Sequence, residues 1–127
     1  MKFASVRLVT TDPASVDALV SFYTRLTGVA AIRLAPDFAE MRFAGLVLAI
    51  STERLVQQFN AGAAIAAANR SAILEFEVGD VDSLHQQLGD TALDYAMPPT
   101  TMPWGNRAML LRDPDGNVVN AFTRPAA

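Results

Sequence analysis

The chain has 127 residues, of which 51% are hydrophobic and 18% charged. That is enough apolar material for one compact domain, or two small fused modules, and too little charge for disorder. A net charge of −3 argues against a phosphate-backbone binder, and the absence of cysteine excludes disulfides, thiolate metal sites and a cysteine nucleophile.

Residues Phe3 to Thr10 read as a strand, rich in β-branched residues with partial alternation. Thr11 or Asp12 can cap the next helix, with Pro13 at or near its first position. Val16, Leu19, Val20, Tyr23 and Leu26 recur at helical spacing, and Gly28 fits the stop. Strand-like runs follow over residues 30–34, 39–43 and 46–51, with Gly45 marking the last hairpin. Residues 53–70 read as a linker with a helical turn, or as a flexible segment bordering a ligand cleft. The small residues 61–68 at its centre leave room and cost little side-chain entropy.

The order then starts again. Residues 71–78 read as a strand, and Asp80 can cap a helix carrying Val81, Leu84 and Leu88 on one stripe, stopped by Gly89. Runs at residues 92–97, 106–111 and 117–122 read as strands. Aligning Asp12 with Asp80 gives an offset of about 68 residues, and Gly45 with Gly116 about 71, which means two copies of one unit. The chain is therefore expected as a single domain of two βαβββ repeats, about 1–52 and 71–125, joined by linker 53–70. His85, the single histidine, reads as a solvated residue of the second helix. No apolar run approaches the roughly 20 residues that span a bilayer. Arg7 and Asp12 interrupt any signal-peptide core, so a soluble cytoplasmic protein is expected, without membrane or nucleic-acid partners.

The most informative stretch lies near the end. Pro103-Trp104-Gly105-Asn106-Arg107 precedes a strand, then comes Arg112-Asp113-Pro114-Asp115-Gly116-Asn117, then a last strand. Asp115-Gly116 predicts a tight primed turn with positive φ at both residues. A faint calcium-loop pattern in Asp113, Asp115 and Asn117 lacks the closing Glu, so the hairpin explains these residues better. Trp-Gly-x-Arg, a strand, Asp-Pro-Asp-Gly-Asn and a final strand resemble the end of the vicinal oxygen chelate superfamily. That superfamily includes glyoxalase I, extradiol dioxygenases, fosfomycin-modifying enzymes and bleomycin-resistance proteins. The resemblance implies an α+β fold, two βαβββ modules forming a curved mixed sheet around a cleft.

In metal-dependent relatives each half supplies a His in its first strand and a Glu in its last. Carried over, those positions are Ser5 and Ile73, and Ala49 and Asn120. These side chains do not make a divalent site, so neither metal nor other cofactor is expected, and no catalytic residue is assigned. A metal-free chain with Trp104-Gly105-x-Arg107 resembles the bleomycin-resistance branch, whose members sequester planar antibiotics as homodimers.

The ligand-binding residues expected on this reading are Trp104, Arg7, Glu75, Phe59, Tyr95, Met97, Met102, Arg107 and Asn120. Trp104 is either an anchor at the core edge or a stacking platform for a flat ring. Phe59, Tyr95, Met97 and Met102 would add aromatic and soft walls, with the prolines at 98, 99 and 103 stiffening a loop over the cleft. Arg7 and Glu75 occupy equivalent points of the two first strands and are expected within salt-bridge reach, as a plain ion pair or as a ligand-orienting one. The function expected is metal-independent binding of a hydrophobic, partly planar small molecule, such as an antibiotic or other secondary metabolite, by a homodimer. The alternatives are a metal-independent isomerase or lyase using Glu75 or Glu77 as base, and a ligand-free dimerisation domain.

Overall fold

A computed structural model describes residues 1–89 and 92–126. The chain divides into two compact units, Met1–Ala68 and Asn69–Ala127. The first carries β1 (Ser5–Thr10), α1 (Pro13–Thr27), β2 (Ile32–Ala35), β3 (Phe38–Phe43), β4 (Leu46–Thr52) and α2 (Glu53–Phe59). The second carries β5 (Ile73–Glu77), α3 (Val81–Leu88), β6 (Asp94–Thr101), β7 (Arg107–Arg112) and β8 (Val118–Thr123). Both units are therefore βαβββ modules, as the repeat predicts. Among the described residues no helix is long and apolar enough to cross a membrane.

Each unit holds a four-stranded mixed sheet, in the orders β1-β4-β3-β2 and β5-β8-β7-β6. The crossover helix places the first strand parallel to the last, and the hairpins pair antiparallel. The registers match between the units: Arg7 lies opposite Ala49, as Glu75 lies opposite Asn120.

Local chemistry sets the helix ends. The Asp12 carboxylate accepts from the Ser15 amide, and Pro13 follows it, where its missing N–H costs nothing. Gly28 closes α1 in the left-handed region at φ 73°. Asp80 caps α3 in the same way, accepting from the amides of Asp82 and Ser83. Val16, Leu19 and Tyr23 of α1 are fully buried, as are Ala39, Met41 and Ile50 of the sheet in that unit. A buried Val or Leu of this kind contributes about 1.5–3 kcal/mol. In the second unit Val81, Met109, Leu111, Val119 and Ala121 fill the equivalent core.

The segment read as a linker with a helical turn opens with α2, whose Val56 is buried and which packs against β1 and β4. Two details depart from expectation. The final hairpin is not a two-residue primed turn, because Gly116 alone of the pair has positive φ. The Gly116 amide donates to the Asp113 carbonyl at 2.9 Å, and the Asp113 amide donates to the Asn117 carbonyl at 2.9 Å. Pro114 presets the first central position of an ordinary turn, so only the glycine after it needs the left-handed region. The Asp113 carboxylate binds this loop from inside, accepting from the Asp115 and Asn117 amides and the Asn117 side chain. Lastly, Pro98 and Pro99 lie within strand β6 rather than in a loop. This is an edge strand with slipped register between Met97 and Thr100, where a missing N–H removes little from the ladder.

Candidate functional site

Strand alternation decides which residues of the second unit share a surface. Met109, Leu111, Val119 and Ala121 point into the core against α3. Their neighbours Ala108, Leu110, Asn120 and Phe122 take the opposite face, with Glu75 beside Asn120 on β5. This face forms the floor of an open cavity of about 380 Å³. That volume falls within the range of small-ligand pockets.

Of the residues expected at a ligand site, the cavity brings together Glu75, Met97, Met102, Trp104 and Asn120. It adds Asn106, Ala108, Leu110, Phe122 and Arg124. Most of these could have been found from the pleat alone: once Asn120 faces the site, Phe122 and Arg124 follow at spacing two. Tyr95 and Arg107 are placed elsewhere in the unit. The Tyr95 hydroxyl donates to the Gly89 carbonyl at 3.1 Å, and its ring meets His85 edge-on at 5.1 Å. His85 is thus half-buried against an aromatic ring rather than simply solvated. Arg107 donates through Nε and Nη2 to the two Asp82 carboxylate oxygens, both at 2.9 Å. This hydrogen-bonded guanidinium holds the Asp82 carboxyl below the usual carboxylate range.

Arg7 and Phe59 belong to the first unit. Arg7 Nη2 donates to Asn60 Oδ1 at 2.6 Å, just past α2, and Phe59 beside it is 70% exposed. Each member of the expected Arg7–Glu75 pair is thus held inside its own unit, Arg7 by Asn60 and Glu75 by Asn120.

Trp104 is 69% exposed, so it is no core anchor. It sits at the tip of the β6–β7 turn, where the Gly105 amide donates to the Met102 carbonyl at 2.9 Å. Pro103 presets the turn, and Gly105 takes φ 99°, a region that side chains disfavour. A Cβ on Gly105 would also stand 3.2 Å from the Pro125 ring. The turn therefore needs this glycine, and it presents the indole to the cavity mouth.

The polar chemistry of the cavity centres on Glu75. Asn120 Nδ2 donates to Glu75 Oε2 at 2.9 Å. Asn120 Oδ1 is shielded from solvent and has no hydrogen-bond partner among the described residues. Arg124 is committed to Glu77 at 3.1 Å, with its guanidinium 5.5 Å from the Phe122 ring centre. The positions where relatives carry metal ligands hold Ser5, Ala49, Ile73 and Asn120. A hydroxyl, a methyl, an alkyl group and a carboxamide do not fit a divalent cation. Among the described residues no cluster of three or more His, Cys, Asp or Glu stands close enough to hold one.

The sequence profile of the glyoxalase/bleomycin resistance protein/dioxygenase superfamily matches residues 3–121. The chain belongs to this superfamily. Solved structures share the fold of the superfamily at low identity. A glyoxalase/bleomycin resistance protein/dioxygenase from Nocardioides is 23% identical with a TM-score of 0.78, covering 100% of this chain and 85% of its own. A glyoxalase-related enzyme from Fulvimarina pelagi is 22% identical with a TM-score of 0.80, covering 98% of this chain and 88% of its own. TioX from Micromonospora sp. ML1 is 21% identical with a TM-score of 0.67, covering 98% of this chain and 99% of its own. Among curated proteins no sequence match was found.

Proposed function

We propose that this superfamily member is a metal-independent binding protein for a hydrophobic, partly planar small molecule. The observation that carries the reading is the cavity of the second unit, where an exposed indole faces Met97, Met102, Leu110 and Phe122. Soft and aromatic side chains beside the polar groups Glu75, Asn106, Asn120 and Arg124 are the makeup of a small-molecule site. The donor set at the metal positions supports a role without Lewis-acid chemistry. The reading includes a homodimer in the cytoplasm, for which the exposed Ile32 and Leu34 of edge strand β2 offer an apolar contact.

A second reading is a metal-independent isomerase or lyase with Glu75 as general base. It is favoured by the place of Glu75 in the cavity, where among the described residues it bonds to Asn120, whereas Glu77 is tied to Arg124. One experiment separates these readings. Trp104 is the sole tryptophan, so its fluorescence reports the cavity directly. Planar aromatic compounds, including antibiotics with flat chromophores, are titrated against the protein and the mixtures analysed by mass spectrometry. Saturable quenching with unchanged compound supports binding. Conversion to product supports the enzyme. No quenching by any compound refutes both and leaves a ligand-free dimerisation domain.

A further inference from the structure

The small-molecule reading leaves the chemistry of the ligand open, and the polar groups of the cavity narrow it. Glu75 is the one lining residue whose charge is not answered inside the protein. Among the described residues its bond comes from the neutral Asn120 amide. The only cation of the lining, Arg124, is answered by Glu77. The cavity therefore carries an excess negative charge, on a solvent-open carboxylate that an incoming cation can reach.

Asn120 sharpens the point. Because Nδ2 faces the Glu75 carboxylate, Oδ1 is left as an acceptor, and it has no donor among the described residues. The last torsion of an asparagine is soft, so the amide can turn its oxygen toward an incoming N–H, exchanging its bond to Glu75 for one to the ligand. Two acceptors stand side by side, the solvent-open Glu75 carboxylate and the Asn120 amide oxygen, the latter without a donor among the described residues. The Trp104 indole, which favours flat rings and cations, is at the cavity mouth. We infer that the ligand is a flat aromatic cation bearing N–H donors, such as an amidinium, guanidinium or amino-heteroarene group, docked on Glu75 and Asn120 with its ring against Trp104. This inference rests on the small-molecule reading.

The test uses one ring system in three charge states at about pH 8, where carboxylates are ionised. Proflavine is the planar cation with amino donors, acridine the neutral ring, and acridine-9-carboxylate the anion. Binding is measured by isothermal titration on the wild-type protein, Glu75→Gln and Asp17→Asn. Asp17→Asn removes the same charge from an exposed position on helix α1 of the first unit. Proflavine is expected to bind the wild type roughly 10- to 100-fold more tightly than acridine, as a charge-assisted hydrogen bond predicts. Glu75→Gln should erase that preference while binding acridine as before, and Asp17→Asn should retain it. Acridine binding as tightly as proflavine, or a preference for the carboxylate, overturns the inference and leaves the small-molecule reading standing. A preference that persists in Glu75→Gln also overturns it. No binding of any of the three sinks both.

Discussion

Trp104→Ala offers the most direct test of the cavity. The indole is 69% exposed in the free protein, so its removal leaves no hole in the core. The melting temperature should stay within about 2 °C of wild type, as for surface substitutions. Binding should change far more. A tryptophan can bury up to roughly 250 Å². With about two-thirds of that free, a ring stacked on one face covers on the order of 80 Å², worth about 2 kcal/mol at about 25 cal/mol per Å². Aromatic stacking geometry adds about 0.5–1.5 kcal/mol. Together these predict roughly 60- to 300-fold weaker binding of a planar probe. The assay is isothermal titration with proflavine, with Gln86→Ala on the exposed side of α3 as the comparison. Trp104→Phe should recover much of the loss. If Trp104→Ala binds as tightly as Gln86→Ala, the indole has no part in recognition and the cavity assignment fails.

Other predictions follow from the network around the site and the first unit. Gly105→Ala forces a side chain into φ 99° against the Pro125 ring and should cost roughly 1–2 kcal/mol from the backbone alone, read from urea unfolding. It should also weaken proflavine binding by displacing Trp104, and wild-type stability in this variant would refute the stated turn geometry. In the first unit the buried Asp37 accepts from Arg54 Nε and Nη2 and from the Thr52 hydroxyl, and Arg54 chiefly holds its carboxyl below the usual range. A depressed folded pKa gives stability that is present above the unfolded value of about 4 and lost as pH falls through the folded value. Asp37→Asn should therefore lower the urea midpoint at neutral pH and flatten its fall below about pH 4. A parallel acid limb in wild type and variant would remove Asp37 from this role. The homodimer is checked by sedimentation velocity, where a single species at the monomer mass refutes it.

Much of the architecture was written in short stretches of sequence. Asp12 and Asp80 followed by helical stripes, Gly28 and Gly89 after them, and hairpin glycines at 45 and 116 are local signals acting within a turn or two of the chain. Their repetition was enough to read two βαβββ units, and the Trp104-to-Asn117 stretch was enough to suggest the superfamily. What the chain could not announce was which residues meet. Glu75 and Asn120 lie on parallel strands joined only through a whole module, so their bond depends on register set by the packed sheet. Tyr95 joined His85 because β6 slips register past it, and Arg107 joined Asp82 because its parity follows the buried Met109 and Leu111. Pro98 and Pro99 could enter a strand because β6 lies at the sheet edge, a fact of strand order rather than of composition. The exposure of Trp104 was likewise settled by tertiary contact: Gly105 lies against the Pro125 ring from the far end of the unit, and that closure holds the turn that puts the indole in solvent. Local free energies choose helices, strands and stops, while the meeting of side chains waits on which strand lies beside which.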